Sequence, residues 1–168
     1  MSQSEYFINQ ELMQEMVRLL RQAALVTTEM GGALPEQTDP AAFSHVLDLA
    51  CGPGEWVREA ARSYPHLERV VGVDRSRRMV EYANVQAEAE GARTVSFRVM
   101  DITQPLDFED SSFDLINGRF LLSFMKREQW PLLLAECHRL LRPGGVVRIT
   151  EQESGYTNDA SYQAYIDL

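Results

Sequence analysis

Residues 46–54 read Val-Leu-Asp-Leu-Ala-Cys-Gly-Pro-Gly, a short apolar run that ends in a glycine-rich turn. An apolar run of this length, closed by a turn, is typical of a strand buried inside a parallel sheet. Gly52 and Gly54 let the backbone approach a ligand closely, and Pro53 between them stiffens the turn. The stretch therefore predicts a strand that leads into a ligand-binding turn.

The rest of the chain alternates between helical and extended patterns. Further strands are predicted at residues 70–74, 95–100, 113–117 and 146–151. Helices are predicted at residues 5–26 and 55–64, between Ser76 and Gly91, from Pro131 through Leu141, and at residues 159–167. Strands that alternate with helices imply right-handed crossovers and a mostly parallel sheet covered on both faces. We therefore predict an α/β fold, a Rossmann-like doubly wound sheet in three layers (α/β/α), with ligands beyond the carboxyl ends of the strands.

Composition narrows the class of protein. The chain has 168 residues and a formal charge of −9, so it has no general attraction for nucleic acid or anionic membranes. No stretch approaches the ~20 apolar residues of a membrane span. The first residues lack the basic-then-apolar pattern of a secretory signal. Cys51 and Cys137 suggest neither a disulfide framework nor a metal site. We expect a cytoplasmic protein with no nucleic-acid, membrane or metal partner.

The glycine-rich turn alone is compatible with more than one cofactor, or with a plain strand-to-helix connection. A nicotinamide fingerprint, G-x-G-x-x-G, needs a third glycine at position 57, where this chain has Val57. Asp48 is also unfavourable beside a pyrophosphate, because it adds a negative charge to two others. A cofactor that carries a cationic sulfonium and an ammonium group would tolerate that carboxylate.

The segment around Asp48 resembles motif I of the class I S-adenosylmethionine-dependent methyltransferases, commonly D-x-G-x-G-x-G, with Ala50 in the first glycine position. Residues 136–145, E-C-H-R-L-L-R-P-G-G, resemble the family's turn from a helix into the fifth strand, E-x-x-R-v-L-k-P-G-G. The resemblance covers residues 46–151, and the N-terminal segment is also similar to that of bacterial small-molecule methyltransferases. The resemblance implies S-adenosylmethionine as the cofactor and S-adenosylhomocysteine as the product.

The resemblance also implies roles for polar residues at the strand ends. Asp74 would accept hydrogen bonds from both ribose hydroxyls, and Asp101 from the exocyclic amine of adenine, although Asp101 could instead cap a turn. The backbone of Asn117 would lie beside the methionine moiety, while its side chain could simply end a strand. The implied cofactor-binding residues are Asp48, Ala50, Cys51, Gly52, Gly54, Asp74, Arg75, Met79, Asp101, Ile102 and Asn117.

The same resemblance divides the chain in two. Residues 1–40 are expected to form an N-terminal helix and loop over the cofactor, with Tyr6, Phe7 or Met30 as candidates for the cover. Residues 41–168 are expected to form the cofactor-binding core. The family's sheet normally continues with an antiparallel hairpin that this sequence lacks, so we expect a C-terminally truncated core. An uncovered edge strand favours pairing with a second copy, which predicts a possible homodimer.

Methyl transfer needs alignment rather than a covalent intermediate, so no catalytic residue is assigned from the sequence. Residues 117–120, Asn-Gly-Arg-Phe, differ from the N-P-P-Y motif associated with methylation of planar nitrogens, and a small molecule is the expected acceptor. Arg119 could meet an anionic substrate or only form a salt bridge, and Glu151 and Glu153 could lie at the substrate or be solvated. Two alternatives remain open. One is a non-catalytic cofactor-binding module that acts through a protein partner, and the other is a nicotinamide-dependent oxidoreductase.

Overall fold

The structure is a computed structural model that describes residues 10–151. Its central sheet has the strand order β3-β2-β1-β4-β5, and every pair of neighbours is parallel. The sheet order and the flanking helices confirm the predicted Rossmann-like α/β fold. The strands are β1 His45–Leu49, β2 Arg69–Asp74, β3 Val95–Val99, β4 Phe113–Arg119 and β5 Leu141–Thr150. The helices are α1 Gln10–Glu29, α2 Glu55–Ser63, α3 Arg77–Ala89 and α4 Trp130–Leu140.

The sheet separates two hydrophobic cores, which explains why its inner strands are apolar on both faces. Alternate residues of β1 serve opposite cores, since side chains on a strand point to opposite faces. Val46 packs in the core that α2 and α3 cover, whereas Leu47 and Leu49 pack in the core that α4 covers. Asp48 is 3% exposed and is the only charged residue among the buried positions of β1.

Several element boundaries differ from the prediction, most of all the end of α1 and the start of β5. Helix α1 continues to Glu29, three residues beyond the predicted end, and stops at Gly31 and Gly32, which have φ values of 86° and 135°. Leu141 was expected in the helix before β5 but is the first residue of β5, where it pairs with Phe113. The register then shifts, so that residues 142–145 form a bulge before regular pairing resumes.

Several predictions fall on residues that the structure does not describe. These are the helix at residues 159–167, the cover by Tyr6 or Phe7, and the position of Glu153. Within residues 10–151 no helix is long and apolar enough to cross a membrane. The sheet formed by those residues contains no antiparallel pair.

Candidate functional site

A cavity of about 960 Å³ lies at the carboxyl ends of the strands. The loops that follow β1, β2, β3 and β4 all contribute to its wall, and α1 forms another side through Leu19 and Ala23. Pockets for small molecules usually measure about 300–1,000 Å³, so this one is at the upper end of that range. Its position is the one expected for ligands of an open parallel sheet.

The turn after β1 uses left-handed backbone at three positions. Ala50, Gly52 and Gly54 have φ values of 52°, 54° and 79°. The N–H of Cys51 donates to the carbonyl of Val73 over 2.9 Å, which joins this turn to the end of β2. Ala50 therefore adopts a conformation that favours glycine, in agreement with the glycine that motif I commonly has at this position.

The two glycines of the turn have different surroundings. A Cβ atom on Gly52 would have only Leu19 Cδ1, at 3.9 Å, within contact distance, so this residue borders open space in the cavity. A Cβ atom on Gly54 would lie 2.5 Å from the Phe97 ring and 2.9 Å from Ala83 Cβ. Gly54 does not line the cavity, and its small size instead permits close packing of α2 on the sheet.

Asp74 holds two loops together at the end of β2. Its Oδ2 accepts from the N–H of Gly52 over 2.9 Å, and its Oδ1 accepts from the N–H of Ser76 over 2.8 Å. Each carboxylate oxygen has a second lone pair, so both atoms retain a site that a vicinal diol can use. Asp74 and Arg75 both line the cavity.

Asp101 lies on the cavity wall beyond β3. Its Oδ1 accepts from the N–H of Thr103 over 2.9 Å and from the Thr103 hydroxyl over 2.8 Å, which is the turn-capping arrangement left open above. The Thr103 N–H holds the pKa of Asp101 below its ordinary value. Ile102 is 5% exposed, so it packs in the core while contributing to the wall.

Asp48 lines the cavity from a buried position, and its Oδ1 accepts from Asn117 Nδ2 over 2.6 Å. Burial raises the pKa of Asp48 to about 6, against the opposing charges of Arg119 and Arg148. Asn117 is fully buried and does not line the cavity. Its Oδ1 accepts from Arg148 Nη1 over 2.8 Å, and Arg148 in turn pairs with Glu36 over 2.7 Å. Sequence reasoning missed Arg148 and Glu36, although a charged residue inside the apolar run of β5 was a visible signal.

Arg119, at the end of β4, lines the cavity and donates from Nη1 to the Thr27 hydroxyl of α1 over 3.2 Å. Burial lowers its pKa, while the nearby Asp48 carboxylate opposes that shift. This hydrogen bond attaches α1 to the sheet beside the cavity. Arg119 thus has a hydrogen-bond partner on α1. Its contact with an anionic substrate stays a prediction.

Two remaining predicted residues have packing roles in the structure. Met79 is 6% exposed and does not line the cavity. Cys51 does line it, but burial raises the pKa of its thiol well above the ordinary value. A high thiol pKa disfavours the thiolate, which makes Cys51 a poor nucleophile.

The segment after β4 forms the apolar side of the cavity and was not singled out from the sequence. Leu122 and Phe124 line the cavity while 62% and 47% exposed. Glu151 also lines it, and its Oε1 accepts from the N–H of Leu122 over 3.1 Å. Among the described residues, no group of three or more His, Cys, Asp or Glu side chains is placed to hold a metal ion.

Comparison with known proteins gives a consistent result. Residues 46–145, more than half of the chain, match a family model described as a methyltransferase domain. The demethylmenaquinone methyltransferase of Lactococcus lactis is 31% identical over 102 residues, which are 61% of this chain and 39% of that protein. The aklanonic acid methyltransferase DauC of Streptomyces sp. strain C5 is 35% identical over 98 residues, 58% of this chain and 44% of that protein.

A solved structure, PKMT2 from Rickettsia typhi in complex with AdoHcy, is 27% identical with a TM-score of 0.55. The match covers 62% of this chain and 20% of that one. The chain spans about two fifths of the length of the two curated relatives, at 39% and 44%. The residues that match the family model include the loops after β1, β2, β3 and β4 that line the cavity.

Proposed function

The chain belongs to the class I S-adenosylmethionine-dependent methyltransferase family, and on that premise we propose that it transfers a methyl group from this cofactor to a small-molecule acceptor by direct in-line displacement. One observation carries the proposal. Asp48, Asp74 and Asp101 lie at or just beyond the carboxyl ends of three adjacent strands and line the wall of one cavity. Their order along the sheet edge matches the roles that the resemblance implies.

The residues present fit the cofactor. Asp48 and Asp74 place negative charge where a cationic ligand is favoured and a pyrophosphate is not. Asp74 keeps an accepting site on each oxygen for a ribose diol, and Oδ2 of Asp101 takes part in none of the hydrogen bonds between described residues. Gly52 leaves open space against the cavity. When bound, S-adenosylmethionine supplies a methyl group on a cationic sulfur that is an excellent leaving group.

The contribution of the protein is alignment and the exclusion of water. Holding two reactants in line is worth about 7–11 kcal/mol when the geometry is close to that of the transition state. The rigid loops after β1 and β2, which Asp74 joins, would position one reactant, and α1 would shield the reaction from water. A base is required only where the accepting atom must lose a proton, so we assign none.

The proposed acceptor is a small molecule with an apolar surface. Leu122 and Phe124 supply exposed apolar contact area on the cavity wall, on the β4 side of the turn after β1. The names of the two curated relatives likewise specify small-molecule acceptors. The predictions of a cytoplasmic location, of a homodimer and of no nucleic-acid partner stay predictions from the sequence.

Calorimetric titration with S-adenosylhomocysteine tests the cofactor site, with NADH as a parallel ligand. We expect micromolar binding by the wild type, its loss in Asp74→Asn and its retention in Asp39→Asn. Asp39 is exposed, and its side chain does not cap the short helix that follows, which makes it a matched control. Binding of NADH alone, or no binding by the folded chain, would contradict the proposal.

The alternative of a non-catalytic module is less favoured, because the acidic residues of the cofactor site are all present on the cavity wall. Turnover separates the two functions. Formation of S-adenosylhomocysteine that depends on an added small molecule supports the enzyme. Cofactor binding without turnover across a broad acceptor panel, together with capture of a protein partner, would support the module.

A further inference from the structure

A line of polar side chains crosses the sheet from the surface to the cavity. Asp48, Asn117 and Arg148 occupy matching register positions on the adjacent strands β1, β4 and β5. Their hydrogen bonds measure 2.6 Å and 2.8 Å, and Glu36 in the loop before β1 closes the line through contacts of 2.7 Å and 3.3 Å to Arg148. The three strand residues are 3%, 0% and 7% exposed.

Arg148 determines which way the Asn117 amide points. A guanidinium only donates hydrogen bonds, so it requires the Oδ1 end of the amide. The Nδ2 end is thereby turned toward Asp48, where it donates to the carboxylate. In the reversed orientation, the Nδ2 group of Asn117 would face the N–H groups of Arg148, and its Oδ1 would face the carboxylate of Asp48. Arg148 therefore stabilises the orientation that also serves Asp48.

Three charged groups, on β4, β5 and β2, act on Asp48. Arg119 on β4 and Arg148 on β5 favour its ionised form, whereas Asp74 on β2 opposes it, and the Cys51 thiol lies beside both acids. Burial acts against the ionised form as well, because a buried carboxylate loses its hydration. Arg148 is thus one of two cations that keep this buried acid charged, and it lies outside the cavity wall.

We propose that Arg148 is a positioning residue for the cofactor-binding carboxylate of Asp48, acting through Asn117 and anchored by Glu36. The proposal rests on the proposed function, since it takes Asp48 to be part of the cofactor site. Neither Arg148 nor Glu36 lines the cavity, so both act through the residues between them and the ligand. Arg148 supplies two separable effects, a hydrogen-bond donor for Asn117 and a positive charge for Asp48.

Arg148→Gln and Arg148→Lys isolate the contribution of the charge, because both replacements keep a hydrogen-bond donor at this position. Glutamine keeps a donor but removes the charge, and lysine keeps the charge. Arg93→Gln is the matched control, because Arg93 is exposed and precedes β3 at the opposite end of the sheet. The first readout is the titration of the Asp48 carboxyl carbon by NMR in the ligand-free chain, with the signal assigned through Asp48→Asn.

The expected result is a shift in the midpoint of the Asp48 titration. In Arg148→Gln we expect it to rise by about half to one pH unit, less than the ~1–3 units of a direct ion pair. Arg148→Lys and Arg93→Gln should keep the wild-type midpoint. Equal midpoints in wild type and Arg148→Gln would overturn the proposal, because a residue that only fills space lowers the melting temperature without moving this titration.

The second readout is the affinity for S-adenosylhomocysteine as a function of pH. If binding requires ionised Asp48, a one-unit shift weakens binding by about twofold near pH 7 and about fivefold near pH 6 in Arg148→Gln. A wild type that fails to bind this ligand refutes the proposed function alone, while the carboxyl titration still decides the role of Arg148.

Glu36→Gln tests the line from its other end and remains informative if Arg148→Gln does not fold. Removing the Glu36 carboxylate leaves the charge of Arg148 less compensated, so the Asp48 midpoint should fall below that of the wild type. Glu29→Gln, which changes an exposed glutamate of α1, should leave it unchanged. An unchanged or raised midpoint in Glu36→Gln would contradict the electrostatic link.

Discussion

Gly54→Ala tests how the turn after β1 is built. The new methyl group would lie 2.5 Å from two ring carbons of Phe97 and 2.9 Å from Ala83 Cβ, all of which belong to the core. The backbone at Gly54 also has φ 79°, a conformation that an alanine adopts only with strain. Steric overlap and backbone strain therefore act in the same direction.

The structure offers two other glycines that separate these contributions. Gly91 has φ 67° with no atom within 4 Å of a Cβ, so Gly91→Ala introduces only the backbone strain, about 1–2 kcal/mol. Overpacking of a dense core costs about 1–3 kcal/mol more. We therefore expect Gly54→Ala to lower the free energy of unfolding by about 2–5 kcal/mol, the sum of the two. Gly52→Ala should resemble Gly91→Ala in stability, since its nearest contact is 3.9 Å.

Urea unfolding of the three variants, followed by circular dichroism, measures these differences. Calorimetry with S-adenosylhomocysteine then separates stability from binding, because only Gly52 lines the cavity. Gly52→Ala should weaken binding at a stability similar to that of Gly91→Ala. A Gly54→Ala variant no less stable than Gly91→Ala would refute the packing argument.

Three further changes have defined outcomes. Burial raises the pKa of Asp48 from 3.8 to about 6, so the free energy of unfolding should fall as the pH rises through that interval. Asp48→Asn removes this cost and should stabilise the chain by about 1–3 kcal/mol near pH 7, but not near pH 4. Urea titrations at the two pH values measure the difference. Trp56→Phe removes the 3.2 Å hydrogen bond from the buried indole to the Ala33 carbonyl and should cost about 1–3 kcal/mol by the same assay. Phe124→Ser should change the free energy of unfolding by less than about 0.5 kcal/mol but raise the KM for an acceptor. Leu132 is 66% exposed and lies outside the cavity, so Leu132→Ser should leave KM unchanged.

Most of the fold could be predicted because its signals are local. The apolar or alternating patterns of the strands, the Ser76 cap and the Gly91 stop each depend on a few neighbouring residues. The end of α1 and the start of β5 could not be predicted in this way. Thr27 is held by Arg119 from a distant strand, and Leu141 is drawn into the sheet by pairing with Phe113.

The candidate site shows the same division. Asp48, Asp74 and Asp101 were placed on one cavity from the sequence because the carboxyl ends of parallel strands share an edge. The partners of Asn117 were not predicted, since they depend on the registers of β4 with β1 and β5. A sequence pattern indicates that strands exist and leaves their relative alignment undetermined.

The strand order β3-β2-β1-β4-β5 places the two proposed parts of the site on neighbouring sections of one sheet edge. The groups proposed for the cofactor lie on the β3, β2 and β1 side, and the apolar side chains proposed for the acceptor belong to residues 120–124 after β4. A new acceptor preference would then require only a graft of that one segment, with the turn after β1 left intact. An exchange confined to residues 120–124 would leave unchanged the hydrogen bond between Asn117 on β4 and Asp48 on β1, which joins the two sides of the site.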